Sequence, residues 1–161
     1  MSNLLLQPDL SGDGPIHDVT PASAGWSHVG FGLHDLAAGT SVGSDGTADE
    51  ICLVLLSGSV RIIAGDLDTG MLQGRASVFD KVAPHAVYVP MKTAWRVEAG
   101  SDSELAVCRA PGTEGKLPPR LIGSQNMPLE TRGTGSNVRH VCNILPETEP
   151  ADSLLVVEVI T

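Results

Sequence analysis

The residues able to do chemistry in this 161-residue chain are five histidines (His17, His28, His34, His85 and His140), three cysteines and a scatter of carboxylates. Imidazoles hold a metal when they converge, usually from H-x-H, H-x-x-x-H or H-E-x-x-H spacings. None of these occurs. His28 and His34 fall on one face of an alternating stretch, but their separation along a strand is roughly 20 Å, too far to share an ion. Cys52, Cys108 and Cys142 lack a C-x-x-C spacing, and each sits in an apolar run ("EICLVLL", "ELAVCRA", "RHVCNIL"). That is the setting of reduced thiols packed as small hydrophobes. The acidic stretches "GSDGTADE" and "GDLDTG" miss the register of a calcium loop and read as solvated hairpin turns. "GTGSN" precedes a strand, so it offers no helix N-terminus to a phosphate. What remains is Arg139 beside His140, a basic pair that could meet the carboxylate of a sugar acid. The other reading of that pair is a salt bridge between domains.

The elements that must position these residues are strands. The chain is 42 % hydrophobic and 18 % charged, enough for one domain with a core, and 3 % aromatic, so Val, Leu, Ile and Ala must fill that core. A net charge of −9 without any cluster of Lys or Arg excludes nucleic acid and anionic membrane surfaces as partners. The longest apolar run, "ICLVLLSGSVRIIAG", is too broken and short to span a bilayer. "MSNLLLQPDLSGDGP" has no basic n-region, so a cytoplasmic setting is expected.

Residues 1–24 read as an extended arm rich in Pro, Gly and Ser. In "WSHVGFGLHDL", Val29, Phe31 and Leu33 form the apolar face of a strand. "ICLVLLS" is a continuous apolar run suited to a strand buried on both faces, with "SVRIIAG" as its hairpin partner after Gly58. "DLDTGMLQG" reads as a loop. "RASVFDKV", "AVYVPM", "TAWRVEAG" and "SELAVCRAP" read as strands, and "GTEGKLPP" as a linker. "VRHVCNILP" and "SLLVVEVIT" are the last two strands, with at most a turn of helix near Glu147–Ser153. The expectation is an all-β barrel of about ten short antiparallel strands with little or no helix. Its core spans 25–112, and 113–161 supplies a linker and final strands that complete the barrel or lead to a second one.

The pair "E-ICLVLLS-G-SVRI" and "YVP-MKT-AWRV" resembles the two motifs of a cupin-like jelly roll. In the metal-binding form the first motif carries H-x-H, Glu and Gly, and the second carries Pro-x-Gly and His. Glu50, Gly58 and Pro90 keep that frame. The stretch where the His pair would fall, "TSVGSDGTAD", has no His, Lys92 stands at the second-motif Gly, and Trp95 lies close to the second-motif His position. A metal at the cupin position of this chain is therefore not expected.

"GWSHVGF", "EICLVLLSG", "RASVF" with "AVYVP", "ELAVCRAP", "LPPRLIG" and, most specifically, "NVRHVCNILPETEPADSLLVVEV" resemble the 5-deoxy-glucuronate isomerase family of myo-inositol catabolism. The likeness runs from Gly25 to Thr161, with a looser one to the hexuronate ketol-isomerases of pectin breakdown. The resemblance implies a two-cupin protein of about twice this length that interconverts 5-deoxy-D-glucuronate and 5-dehydro-2-deoxy-D-gluconate. It implies a divalent metal of Zn or Mn type in a C-terminal cupin that this chain lacks. No catalytic or metal-ligand residue carries over; Arg139 and His140 stay as candidate substrate contacts. The expected role is that of a non-catalytic N-terminal half, forming a homo-oligomer or packing against a second barrel. The alternative is a metal-free module that binds a uronic acid through Arg61 or Arg96, or that serves for dimerisation.

Overall fold

The computed structural model describes residues 5–10 and 14–161 as an all-β, cupin-like jelly roll in three layers. Residues 1–4 and 11–13 of the expected arm lie outside the described residues. The central layer is a six-stranded sheet ordered β1 (His17–Val19), β2 (Gly30–Leu36), β9 (Ser103–Pro111), β4 (Asp49–Ser57), β7 (His85–Val89), β10 (Arg120–Ile122). Facing it is a four-stranded sheet ordered β3 (Ser41–Ser44), β8 (Trp95–Ala99), β5 (Ser59–Ala64), β6 (Leu67–Gln73). Against its back lies a three-stranded sheet ordered β11 (Leu129–Arg132), β12 (Arg139–Leu145), β13 (Val156–Ile160). All strand pairings among the described residues are antiparallel, and the α-helical turn α1 (Pro21–Ala24) is capped reciprocally by Thr20 and Ser23. No helix among the described residues is long and apolar enough to cross a membrane.

The layering explains the continuous apolar run of β4. Ile51, Leu53 and Leu55 point into the barrel, against Val60, Ile62, Val97 and Val107. Cys52 and Val54 point the other way, against Ile144, Leu145, Leu154 and Val156. A strand with a layer on each side has no solvent face to keep polar.

Beside it, β2 reverses the pattern expected of it. Its buried face is Gly30, Gly32, His34 and Leu36, while Val29 and Phe31 stay partly exposed. The inner face is bare because Arg109 runs across it to Asp18, with Arg109 Nη1 3.0 Å from Asp18 Oδ1. A Cβ at Gly32 would sit 3.1 Å from Arg109 Nη2. On the outer side, the apolar cluster under the three-stranded sheet draws on β4, β7, β9 and β10 but not on β2.

Two further stretches differ from the sequence reading. "DLDTGMLQG" is mostly strand β6, whose Leu67 and Leu72 turn inward while its polar residues face out. "RASVFDKV" is not a strand, because Asp80 accepts from the N–H groups of Ala76 (3.1 Å) and Ser77 (3.0 Å) and folds the segment into a turn. Arg75, with only 2 % of its side chain exposed, then fixes this loop by donating to the carbonyls of Leu56 and Val82 and to both carboxylate oxygens of Glu158.

Gly58, at the β4–β5 turn, has φ of +85°, and a Cβ there would lie 2.3 Å from the Asp102 carbonyl oxygen. Gly58→Ala should therefore cost at least the ~1–3 kcal/mol of a strained non-glycine residue in this region. Urea unfolding monitored by circular dichroism measures that loss; an unchanged midpoint would show that the turn relaxes freely.

Candidate functional site

The place where a cupin holds its ligand is the barrel interior. Here it is lined by Leu53, Leu55, Val60, Ile62, Val87, Val89, Val97, Leu105 and Val107, each with no exposed surface. Among the described residues no group of three or more His, Cys, Asp or Glu side chains could hold a metal ion. The barrel centre is hydrocarbon and offers no donor set that fits a divalent metal. Trp95, near the second-motif His position, packs into the same core and leaves its indole N–H without a partner; His85 Nδ1 is likewise unpartnered. Arg61 and Arg96 stand on the opposite face of the four-stranded sheet. Arg61 pairs with Asp68 (2.5 Å) and Arg96 with Glu98 (3.1 Å), so neither reaches the interior.

His34 is the imidazole nearest to an interior role. Burial, and secondarily the Arg109 guanidinium, lower its pKa and favour its neutral form. It lines a cleft of about 450 Å³ walled by Asp9, Leu10, Gly14 and Ile16 of the N-terminal arm.

Glu50 does not keep the cupin frame in space. Its side chain leaves the outer face of β4, fully buried, and five donors converge on its carboxylate. These are the Tyr88 hydroxyl (2.8 Å), the N–H groups of Asp152 (2.8 Å), Ser153 (2.5 Å) and Leu154 (2.5 Å), and the Ser153 hydroxyl (3.1 Å). Burial and the bond to Glu50 push the Tyr88 hydroxyl pKa up, so it remains a protonated donor. Asp152 extends the junction by accepting from the N–H groups of Thr113, Glu114 and Gly115, each at 2.9 Å. Those three bonds, led by Gly115, hold its carboxyl below the usual carboxylate range. Arg120 completes the junction, 4.6 Å over the Tyr88 ring and donating to the Pro150 carbonyl. The segment "NILPETEPADS" is thus docked into this barrel.

Arg139 and His140 are not brought together. Neighbours on one strand point to opposite faces. His140 contacts Thr131 through Nδ1 (3.2 Å) and lines a cleft of about 340 Å³ with Lys81, Glu130 and Glu158. Arg139 lies on the other face, in a groove of about 480 Å³. They cannot clamp one carboxylate as a pair. Cys52 and Cys142 are buried, Cys108 is half-buried, and all three are free thiols. Burial pushes the pKa values of Cys108 and Cys142 to about 11, which suits packing and not nucleophilic attack.

A model of the KduI/IolB family matches residues 4–161. The chain belongs to the KduI/IolB family. It is 46 % identical over 149 residues to the 5-deoxy-glucuronate isomerase of Geobacillus kaustophilus, covering 92 % of this chain and 54 % of that protein. The corresponding enzyme of Halalkalibacterium halodurans is 36 % identical over 166 residues, with 61 % of it covered. The crystal structure of an IolB-like protein from Salmonella typhimurium LT2 superposes with a TM-score of 0.88 at 45 % identity, over 93 % of this chain and 57 % of that one. The chain spans little more than half the length of these KduI/IolB relatives.

Reading the KduI/IolB sequence alone missed the Glu50–Asp152 junction and the buried Arg75. The available signal was a lone carboxylate entering a run of apolar residues, and the partner 102 positions away was not legible. Glu50→Ala leaves the Tyr88 hydroxyl and the N–H groups of Asp152, Ser153 and Leu154 without their acceptor, and should lower stability by about 3 kcal/mol or more, with faster amide exchange at residues 152–154. Glu50→Gln should fall between it and the wild type in urea titrations. Because the Asp152 pKa is lower folded than unfolded, its cap is fully present above about pH 4 and is lost as pH falls through the folded value. Asp152→Asn should therefore flatten that part of the acid limb in a plot of melting temperature against pH.

Proposed function

We propose that this chain is the non-catalytic barrel of a 5-deoxy-glucuronate isomerase of inositol catabolism, a cytoplasmic protein whose metal-dependent chemistry resides in a second cupin. Aldose–ketose isomerisation needs a base to move a proton between neighbouring carbons and an electrophile to polarise the carbonyl. The observation that carries the reading is the interior of the barrel. At the barrel centre the inward positions of β4, β5, β7 and β9 are Leu, Val and Ile side chains, which offer no metal-ligand set and pack where a sugar acid would sit. Arg109, on the inner face beside β2, is paired with Asp18. Identity of 46 % to a 5-deoxy-glucuronate isomerase over 54 % of its length supports the family activity for the whole protein and a scaffolding task for this half. A Zn- or Mn-type ion would belong to the other barrel, since the residues of this one do not fit it.

The test is direct. The purified chain should convert no 5-deoxy-D-glucuronate, with or without added Zn²⁺ or Mn²⁺, and should retain no stoichiometric metal after dialysis. Sustained turnover by the chain alone would sink the proposal.

A further inference from the structure

Along the inner face of β2 the chain carries Gly30 and Gly32 before it reaches His34. The space over these glycines is taken by the Arg109 side chain. A Cβ on Gly30 would lie 3.3 Å from Arg109 Cβ, and one on Gly32 would lie 3.1 Å from Arg109 Nη2. The same point over Gly32 is 3.7 Å from His34 Nε2. A guanidinium and an imidazole therefore flank one glycine, and His34 is only 7 % exposed.

Two cations side by side in a buried setting are unfavourable unless a carboxylate serves both. Asp18 of β1 lies opposite Gly32 and so on the same face, but Arg109 Nη1 already holds it at 3.0 Å. Asp9 stands in the arm's wall of the cleft that His34 lines. Asp35 alternates to the other face of β2, and His17, opposite Leu33, faces outward with it. Leu105 of β9 lies opposite His34, while Ser41 and Val42 of β3, with Thr40 before them, are neutral. The facing strands β5 and β8 present Ile62, Trp95 and Val97 to the interior.

What this arrangement holds in place is a strap, residues 14–19. Ile16 donates its N–H to the Leu33 carbonyl at 2.7 Å, and β1 continues the pairing for three residues. Arg109 and Asp18 tie β1 to β9 through side chains. Gly14 and Ile16 wall the cleft of about 450 Å³ that His34 lines. A short edge strand with an exposed tie belongs to the low-stability end of a fold and can open while the core stays closed.

We propose that His34 is a proton-operated latch on this strap: neutral His34 lets residues 14–19 close against β2, and a proton taken up from solvent makes it compete with Arg109 for Asp18 and releases them. The device acts within this barrel and does not depend on the functional reading above.

The direction follows from linkage. With the strap released the ring meets water and has a pKa of about 6.5. With the strap docked, burial and Arg109 hold it lower. The released state therefore binds the proton more tightly. Docking is complete above about pH 6.5 and weakens below it, by up to tenfold for each unit between the two pKa values.

Amide exchange of the full chain, corrected for the intrinsic effect of pH on exchange, reads this directly. Between about pH 7.5 and about pH 5.5 the amides of residues 16–19 should lose protection, in step with titration of the His34 ring followed by NMR. Amides of β4 should keep theirs. His34→Gln, neutral throughout, should hold the strap closed at the lower pH. His17→Gln should leave the wild-type profile unchanged, because that ring faces outward. Protection of residues 16–19 that stays flat while His34 titrates would overturn the proposal, and this readout needs no variant. So would a His34→Gln chain that opens as the wild type does, a His17→Gln chain that no longer opens, or a loss of protection shared by β4.

Discussion

A carboxylate buried in an apolar layer without a cation beside it is unstable unless donors surround it. Glu50 meets that condition only because Asp152, Ser153 and Leu154 deliver three consecutive backbone N–H groups to it, with two hydroxyls completing the shell. The dependence runs both ways. Without Glu50, the N–H groups of Asp152, Ser153 and Leu154 lose the acceptor they share. Without the segment, Glu50 is an uncompensated charge on the back of the central sheet. The segment from β11 to β13 is therefore a structural layer of the barrel, tied down at its most costly buried group.

The rest of the architecture follows from that tie. Once residues 152–154 are fixed against β4, β13 must start beside them, and β12 and β11 pair back across the outer face of the central sheet. Arg75 pins the far side of the same layer, reaching from the β6–β7 loop to Glu158 on β13. Between these two polar anchors lies an apolar contact of Cys52, Val54, Tyr88 and Ala106 with Cys142, Ile144, Leu145 and Val156. Burying each aliphatic side chain there contributes about 1.5–3 kcal/mol. The anchors themselves add little net energy but set the register, since a shifted strand would strand a charge in hydrocarbon.

The jelly roll was legible because its inner strands obey simple rules. β4 is apolar throughout, β8 alternates Trp95 and Val97 inward with Arg96 and Glu98 outward, and Gly58 sits at a turn requiring positive φ. Legibility failed where a long-range polar contact overrode the local pattern. Apolar alternation in β2 pointed to the wrong face, because its glycines make room for an Arg109–Asp18 bridge that no local window contains. "RASVFDKV" has strand composition, yet Asp80 turns it through side-chain bonds to the backbone. Glu50 fits a cupin motif by position and departs from it in direction, and the adjacency of Arg139 and His140 separates them in space, because strand neighbours face opposite ways.

Glu50 also shows how a barrel can lose its centre without losing its fold. A metal-holding cupin must keep several ligating side chains inward and leave space among them, at a cost in packing. In this chain the inward positions at the barrel centre are Val, Leu and Ile, and the most demanding polar group has its donors on the outer face of the same sheet. Cavity and ligands are replaced by close packing inside, while polar specificity moves to the seam between layers. That exchange places the informative polar residues of this chain on the outer face of the central sheet, with Glu50 and Arg75 where the layers join.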